Sequence, residues 1–560
     1  MLSKINNLRD QDIFSDLDIQ FLKFIIDLSN DTNDGLLLGA ALTSYFTSNG
    51  SSCVDLSKLA EQYFPLESAE TERILCPNLL TWEQQLKNCS IVGQAGDYKP
   101  LILDKQRLYL YRYWDYEQQL AAQISSRRTI QRTDINHALL ENGLLRLFSK
   151  ASEEQKQAAQ AAVLHNFSLI SGGPGTGKTS TIVKILTLLL EQNPQLNIAL
   201  AAPTGKATVR LQETIREILP DLACSSEIKD LIPKESYTIH RLLAKELTYD
   251  VIVIDEASMI DLALMAKITK NISKSARLIL LGDKDQLASV ATGSVLADLC
   301  KTENSKDTVY LTKNYRFREN SGIWQLAQTI KQGEANKALE LLDSKPDLKW
   351  YDLDSNLIEQ ISSNFSPCFF EKVPAKILEN YNKIGILCAN RRGLYGMEFI
   401  NQRLEEEFRR KGLIAAGNNW YNARPIMITH NDYRLKLFNG DMGTILNNNA
   451  FFPDAKGELR AFSPSCLPKH QTAYAMTIHK SQGSEFEQVL IVLPDKLSPL
   501  LTRELLYTGI SRARSHVSIW GNKEIFLEAI SQQNCRFSGL GDLIASNTYI
   551  PSPIITNPDQ

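Results

Sequence analysis

Gly172-Gly173-Pro174-Gly175-Thr176-Gly177-Lys178-Thr179 is the stretch that decides the fold. It fits G-x-x-x-x-G-K-[ST], where glycines let the backbone curl until several N–H groups face one phosphate chain. Lys178 can reach β- and γ-phosphates, and the hydroxyl of Thr179, followed by Ser180, can hold Mg²⁺. With glycine at about 7% of residues, chance would produce this pattern in roughly 0.02 chains of this length. Phe167-Ser168-Leu169-Ile170 is a short apolar strand before the loop. After it, Ile182, Val183, Ile185, Leu186, Leu189 and Leu190 recur at helical spacing. A helix starting here aims its positive end at the phosphates, so a nucleoside triphosphate is the expected ligand.

Further elements extend the pattern. Val251-Ile252-Val253-Ile254 predicts a buried strand, and Asp255 and Glu256 follow at its C-terminal end, where ligands bind in an open α/β sheet. Asp255 suits Mg²⁺, and Glu256 suits a water that attacks phosphorus. Two acids after a strand are common in turns; the 76 residues of α/β pattern between Lys178 and Asp255 give the pair its weight. Gln286, in Leu281-Gly282-Asp283-Lys284-Asp285-Gln286, is an amide that can sense a γ-phosphate. Arg316 (Asn314-Tyr315-Arg316-Phe317) and Arg512 (Gly509-Ile510-Ser511-Arg512) are cations of the kind phosphoryl transfer needs. Three donor-rich stretches follow strands: Pro203-Thr204-Gly205-Lys206, Thr238-Ile239-His240-Arg241 and Thr477-Ile478-His479-Lys480-Ser481-Gln482. Each reads as a helix start capped by Thr, and together they form a shelf suited to a phosphate backbone.

The whole chain sets the bounds. Its 560 residues suffice for three or four domains, and 43% apolar with 22% charged residues describes a globular protein. No apolar run approaches the roughly 18 residues needed to cross a bilayer, and the charged Met1 to Asp12 stretch lacks a signal-peptide core. A cytoplasmic location and no membrane partner are expected. The nine cysteines show no paired ligand spacing, which points to reduced thiols. Residues 1–124 carry 10 Lys and Arg against 17 Asp and Glu, while the remainder carries 51 against 47. An acidic N-terminal region is a poor binder of a phosphate backbone and suits protein docking better. Any nucleic-acid groove is therefore local.

The expected fold class is α/β: two α/β units with parallel sheets, a small β insertion and a mostly helical N-terminal domain. Helices are expected at Ile19–Leu28 and Leu36–Ser48, with a strand pair near Leu101–Tyr113. Strands at Ile198–Ala202, Val251–Ile254 and Leu278–Leu281 alternate with helices, as in a parallel sheet. The pattern restarts after Leu311 with strands at Ile384–Cys388, Val489–Leu493 and Val517–Trp520. The expected domains are 1–124, suited to protein docking; 125–310, the first α/β unit; 311–414 with 471–545, the second; 415–470, the insertion; and an extended tail, 546–560, with three prolines.

Taken in order, the phosphate loop, PTGKA, TIHRLL, DEAS, GDxxQL, NYRF, TIHKSQGSEF and YTGISRAR resemble the signature series of superfamily 1 helicases. The combination most resembles the RecD family, the alpha subunit of exodeoxyribonuclease V, over residues 150–525. That resemblance implies two RecA-like P-loop motor domains, with the β segment 415–470 as an SH3-like insertion, ATP bound with Mg²⁺ in the cleft between the two lobes, and 5′→3′ movement along single-stranded DNA. It implies that Gln155 reads adenine and that Gly172, Gly173, Pro174, Gly175, Thr176, Gly177, Lys178, Thr179 and Ser180 hold the phosphates. Gln482 and Glu485 face nucleotide across the cleft. Pro203, Thr204, His240, Asn390, Thr477 and His479 line the DNA path. The implied partners are the beta and gamma subunits of a heterotrimer, and single-stranded and broken-end duplex DNA. No acidic metal cluster stands apart from the ATPase pair, so nuclease activity is expected in a partner subunit.

Two departures from the family pattern matter. Only 14 residues separate His240 from Asp255, where relatives carry a longer segment, which puts an autonomous strand-splitting wedge in doubt. Ala423 stands where glycine is expected, before Arg424-Pro425. Two other readings stay open: a stand-alone RecD-like helicase, disfavoured by the short N-terminal region, and an RNA-directed motor or ATP-gated binding module.

Overall fold

The computed structural model describes residues 1–546 apart from 66–72, 131, 246–247, 303–305, 318–319, 354–355, 418 and 455–456. Beyond Ser546, the expected extended tail lies outside the described residues.

The first lobe is a six-stranded sheet: β1 (Phe167–Gly172), β2 (Ile198–Ala202), β3 (Tyr237–Thr238), β4 (Val251–Ile254), β5 (Arg277–Gly282) and β6 (Thr308–Leu311), in the order β6-β1-β5-β4-β2-β3. Every pairing is parallel. β1, β2, β4 and β5 are buried along their whole lengths, as strands covered by helices on both faces must be. Register does the rest. Ile254 pairs with Leu280 and Ala201, Gly282 with Ser171, and Leu311 with Gly172. The phosphate loop, Pro203, Asp255, Asp283 and the segment toward Arg316 therefore leave one edge of one sheet.

The second lobe repeats the design with five parallel strands: β7 (Leu348–Tyr351), β8 (Ile384–Cys388), β9 (Ala475–Thr477), β10 (Phe486–Val492) and β11 (Ala513–Trp520), ordered β7-β11-β10-β8-β9. Cys388 pairs with Thr477 and Val492, so Asn390 and His479 follow strands that end level. Between β8 and β9 lies the SH3-like insertion, a five-stranded antiparallel sheet from Pro425–Ile428 to His470–Thr472. Its own small core includes Ile426, Ile428, Ile445 and Phe452.

The N-terminal region packs three helices (Leu2–Asp10, Asp16–Ser29, Asp34–Ser48) on a four-stranded sheet that includes the pair Leu101–Asp104 and Arg107–Leu110. Three expected boundaries move. The one at 124/125 cuts helix α1 (Tyr111–Thr129), whose Leu120, Ala121 and Ile124 pack into the first lobe's core, so the joint falls near Leu110. The one at 470/471 cuts the strand His470–Thr472, which pairs with Ile426–Ile428 and ends the insertion at Thr472. The stretch 471–545 is not all second lobe. Helix α2 (Leu540–Ser546) returns to the first, burying Leu540, Leu543 and Ile544 beside α1. Hydrophobic faces, not chain order, decide both helix placements. Among the described residues no helix is long and apolar enough to cross a membrane.

Candidate active site

The phosphate loop runs from β1 into the helix Lys178–Gln192, with Gly175 and Gly177 at φ +80° and +78°, a region that favours glycine. A Cβ on Gly175 would meet the Arg316 Cβ at 2.5 Å, and one on Gly177 the Gln155 Nε2 at 2.7 Å. The glycines thus admit two other site residues as well as phosphate. Lys178 Nζ donates to the carbonyls of Gly172 (2.5 Å) and Gly173 (3.0 Å), lying back along the loop it serves. Burial lowers its pKa, opposed by Asp283, Glu256 and Asp255. Thr176 donates to Gly173 O and Ser180 to Gly177 O, both at 2.8 Å. Thr179 is the second residue of the helix.

Gln155 is buried and spans the loop and the next motif. Its Nε2 donates to Thr176 O at 3.2 Å and its Oε1 accepts from Tyr315 Oη at 3.1 Å. Asn314 fastens the Arg316 segment to the loop: Nδ2 donates to Pro174 O at 2.8 Å, and Oδ1 accepts from the Arg316 and Phe317 amides. Tyr315 N donates to Gly175 O at 2.8 Å.

At the end of β4, Glu256 sits at φ +52°, a left-handed conformation uncommon for a residue with a side chain, and its N–H donates to Asp255 Oδ1 at 2.8 Å. Burial, then the adjacent Glu256 charge, pushes Asp255 up to about 6. Strain and a perturbed carboxyl at a strand end are features that cluster at functional sites. Beside them Asp283 is buried, and its Oδ2 accepts from Gln286 Nε2 and Tyr507 Oη, each at 3.0 Å.

The second lobe closes the far side. Arg512 is buried, with Nε donating to Thr508 O at 3.1 Å and Nη2 to Gln286 Oε1 at 2.5 Å. Gln482 Nε2 donates to Leu287 O at 3.3 Å, a further bond between lobes. Arg316 pairs with Glu485 through Nη2, and its Nη1 is buried without a partner. A cavity of about 320 Å³ opens between the lobes, lined by Gly172, Gly173, Thr176, Asp283, Phe317 and Tyr507. All expected nucleotide-side residues therefore gather at one cleft.

The residues expected on a DNA path lie on strand ends of the two lobes. Thr204, Thr238 and Thr477 each cap the helix that follows, accepting from Ala207, Arg241 and Lys480 amides. Pro203 precedes the first cap, and His240 lies exposed on the helix Ile239–Leu243. Asn390 Oδ1 is buried without a partner, and burial, with Arg536 adding, lowers the His479 pKa. Gly483 brings the lobes together here, 3.7 Å from Thr204 Oγ1 to its ideal Cβ.

Sequence reasoning passed over Asp283, Tyr507 and Arg210, a first-lobe residue that pairs with Glu485. Asp283 stands in the quoted GDKDQL stretch and could have been found as a strand-end acid; Tyr507 opens the quoted YTGISRAR. Arg210 has no motif around it beyond an amphipathic helix.

Comparison with known proteins identifies the family. Family models match an AAA domain over residues 150–352, the RecBCD enzyme subunit RecD N-terminal domain over 10–109, and a UvrD-like helicase C-terminal domain over 472–520. The chain is a P-loop ATPase of the superfamily 1 helicase class, with two RecA-like lobes. It is 32% identical to the RecBCD enzyme subunit RecD of Buchnera aphidicola, over 92% of this chain and 96% of the relative. It is 34% identical to that of Mycolicibacterium smegmatis, over 94% and 97%. The chain belongs to the RecBCD enzyme subunit RecD family. An ATP-dependent RecD2 DNA helicase of Deinococcus radiodurans is 30% identical over 68% of this chain and half of its own length. A Bacteroides Pif1 helicase in complex with ADP-AlF3 and single-stranded DNA aligns at TM-score 0.39 and 19% identity, over 67% of this chain and 94% of that one.

Proposed function

We propose that this chain is the ATP-dependent DNA helicase subunit of an exodeoxyribonuclease V, moving 5′→3′ on single-stranded DNA during double-strand break repair and recombination. The observation that carries the reading is the Arg512–Gln286 bond. It joins a second-lobe arginine to a first-lobe amide at the phosphate-loop cleft. ATP fits with its phosphates on the Gly172–Ser180 loop and its base against Gln155. Thr179 and Asp255 are hard oxygen donors of the kind Mg²⁺ takes alongside phosphates, and a cation favours the ionised form of a buried carboxyl. Such an ion neutralises phosphate charge when bound.

The chain's own groups then divide the work. Glu256 orients the attacking water, Gln286 senses the γ-phosphate, and Arg316 and Arg512 move onto the charge as it shifts in the transition state. Hydrolysis removes the anion that both arginines share, so their differential contacts bias the lobes between closed and open states. Pro203, Thr204, His240, Asn390, Thr477 and His479 grip the strand, and alternating grip turns opening and closing into steps. The N-terminal region docks on the beta and gamma subunits, one of which carries the nuclease, in the cytoplasm at broken duplex ends.

Strand displacement by the purified chain tests this on duplexes with a 5′ or a 3′ single-stranded tail, with Lys178→Gln as control. Displacement from the 5′ tail alone is expected. Displacement from the 3′ tail, or equal ATPase stimulation by poly-dT and poly-U, refutes the polarity or the substrate.

A further inference from the structure

Glu485 lies just ahead of β10 with its side chain only 7% exposed, and three arginines from three parts of the chain converge on it. Arg210 comes from the first-lobe helix Gly205–Ile218. Arg316 comes from the segment fastened to the phosphate loop. Arg514 comes from β11, at 3.0 Å. Arg210, then Arg316 and Arg514, hold the Glu485 carboxyl at about 2 against the upward pull of burial. Arg316 is only half committed: Nη2 is spent on Glu485 and Nη1 is buried without a partner.

A guanidinium at the phosphate loop that is only 18% exposed, held by a carboxylate through one arm with the other unpartnered, is poised to take a second anion. If Arg316 turns fully to a phosphate, Glu485 loses one of its counter-charges. Stranding a buried carboxylate is costly, so the exchange proceeds only if other cations stay on it. Arg514 belongs to the same lobe as Glu485 and stays whatever the cleft does. Arg210 reaches Glu485 only while the lobes are together.

We propose that Glu485 stands in for the γ-phosphate as an internal anion, and that Arg210 is a positioning residue that latches the lobes across the cleft and keeps Glu485 neutralised while Arg316 transfers to nucleotide. Closure and the hand-over of Arg316 become one event. Arg210 does not touch the reacting atoms; it acts through Glu485. The inference rests on the reading of the cleft as the ATP site.

The test is steady-state ATPase of the full chain with poly-dT, on Arg210→Ala, Arg210→Lys, Glu485→Gln and the double variant Arg210→Ala/Glu485→Gln. Arg210 has a side chain 36% exposed, so its substitutions are expected to fold, which circular dichroism and thermal melting check. Arg210→Ala is expected to lower kcat at least tenfold with the ATP KM changed less than threefold, and Arg210→Lys to recover part of the loss. The double variant is expected to lose at least fivefold less than the product of the single losses, because both substitutions break one latch. Multiplicative losses, or wild-type kcat in Arg210→Ala, overturn the proposal. Lys178→Gln separates the two levels: ATPase that survives it refutes the ATP cleft itself, whereas ATPase lost there but intact in Arg210→Ala refutes only the latch.

Discussion

Arg512 donates through Nη2 to Gln286 Oε1 at 2.5 Å, and Gln286 donates in turn through Nε2 to Asp283 at 3.0 Å. One second-lobe cation is thereby wired through a first-lobe amide to a carboxylate beside the phosphate loop. All three groups are buried, so the bonds form in a low-dielectric setting where each is strong and each lost partner is expensive. Tyr507, from the second lobe, bonds the same Asp283 oxygen at 3.0 Å and makes the wiring redundant on the ground-state side. What Tyr507 cannot supply is positive charge in the transition state.

Arg512→Ala is therefore expected to reduce the DNA-stimulated kcat by about 10³-fold or more, the range for arginines that stabilise phosphoryl transfer. ATP affinity should change far less, since the loop glycines and Lys178 remain. Stopped-flow nucleotide binding and steady-state ATPase measure the two separately. A kcat loss below tenfold would remove Arg512 from the role.

The carboxyl pair predicts a pH profile. Asp255 is pushed up to about 6 by burial first and by the neighbouring Glu256 charge second. Only the ionised form suits a metal-bound nucleotide, so kcat/KM should fall tenfold per pH unit below about 6 and level off above it. Linkage gives the opposite sign for stability. The folded pKa lies above the ordinary value of about 4, so the native state holds the proton more tightly between about 4 and 6. The group's contribution to stability is then largest below about 4 and is lost as pH rises through 6. Asp255→Asn should flatten this limb of a stability–pH curve while abolishing activity. An unchanged curve in the variant would show that another group titrates.

Much of this site was legible in the chain because parallel strands end in register. Each short apolar run, such as Val251–Ile254, fixed a strand, and the polar residues after it had to emerge at one edge. Lys178, Asp255, Gln286 and Arg316 gather for that reason, whereas Gln155 sits on the helix Glu153–Leu164 and Arg512 between the helix Arg503–Ile510 and β11. Long-range placement was not legible. Nothing local in Leu540–Ser546 says that it packs on α1 rather than on the lobe that precedes it. Arg210 resembles any surface arginine on an amphipathic helix, and only the fold brings it to Glu485.

Ala423 is the one place where a departure from the family pattern acquires a measurable cost. Its φ is +62°, its N–H donates to Ile445 O at 2.7 Å, and its carbonyl accepts from Tyr381 Oη. The bonds hold an alanine in the left-handed region, which costs an L-residue roughly 1–2 kcal/mol. Ala423→Gly should stabilise the second lobe by about 1 kcal/mol, part of the relief being offset by the looser unfolded chain. Urea unfolding followed by hydrogen exchange at the insertion reads the change. A destabilised variant would mean that the buried methyl contributes more than the backbone strain removes.

The last expectation concerns the joint among the N-terminal unit, α1 and the returning C-terminal segment. Buried Glu117 accepts from Ser52 Oγ at 2.5 Å, Ser538 Oγ at 2.8 Å and Gly539 N at 3.1 Å. Residues more than 400 positions apart in sequence thus share one carboxyl. Glu117→Ala leaves those donors buried without an acceptor and should cost about 3 kcal/mol, with faster exchange of amides around Gly539. Burial pushes this carboxyl up to about 7. With the folded pKa above the unfolded value of about 4.5, its contribution to stability is fully present below about 4.5 and declines as pH rises through 7. Glu117→Gln cannot titrate, so the gap in stability between wild type and this variant should narrow from pH 5 to pH 8. A gap that stays constant over that range would mean that the carboxyl is already ionised in the joint at pH 5, and that the donors around it outweigh its burial.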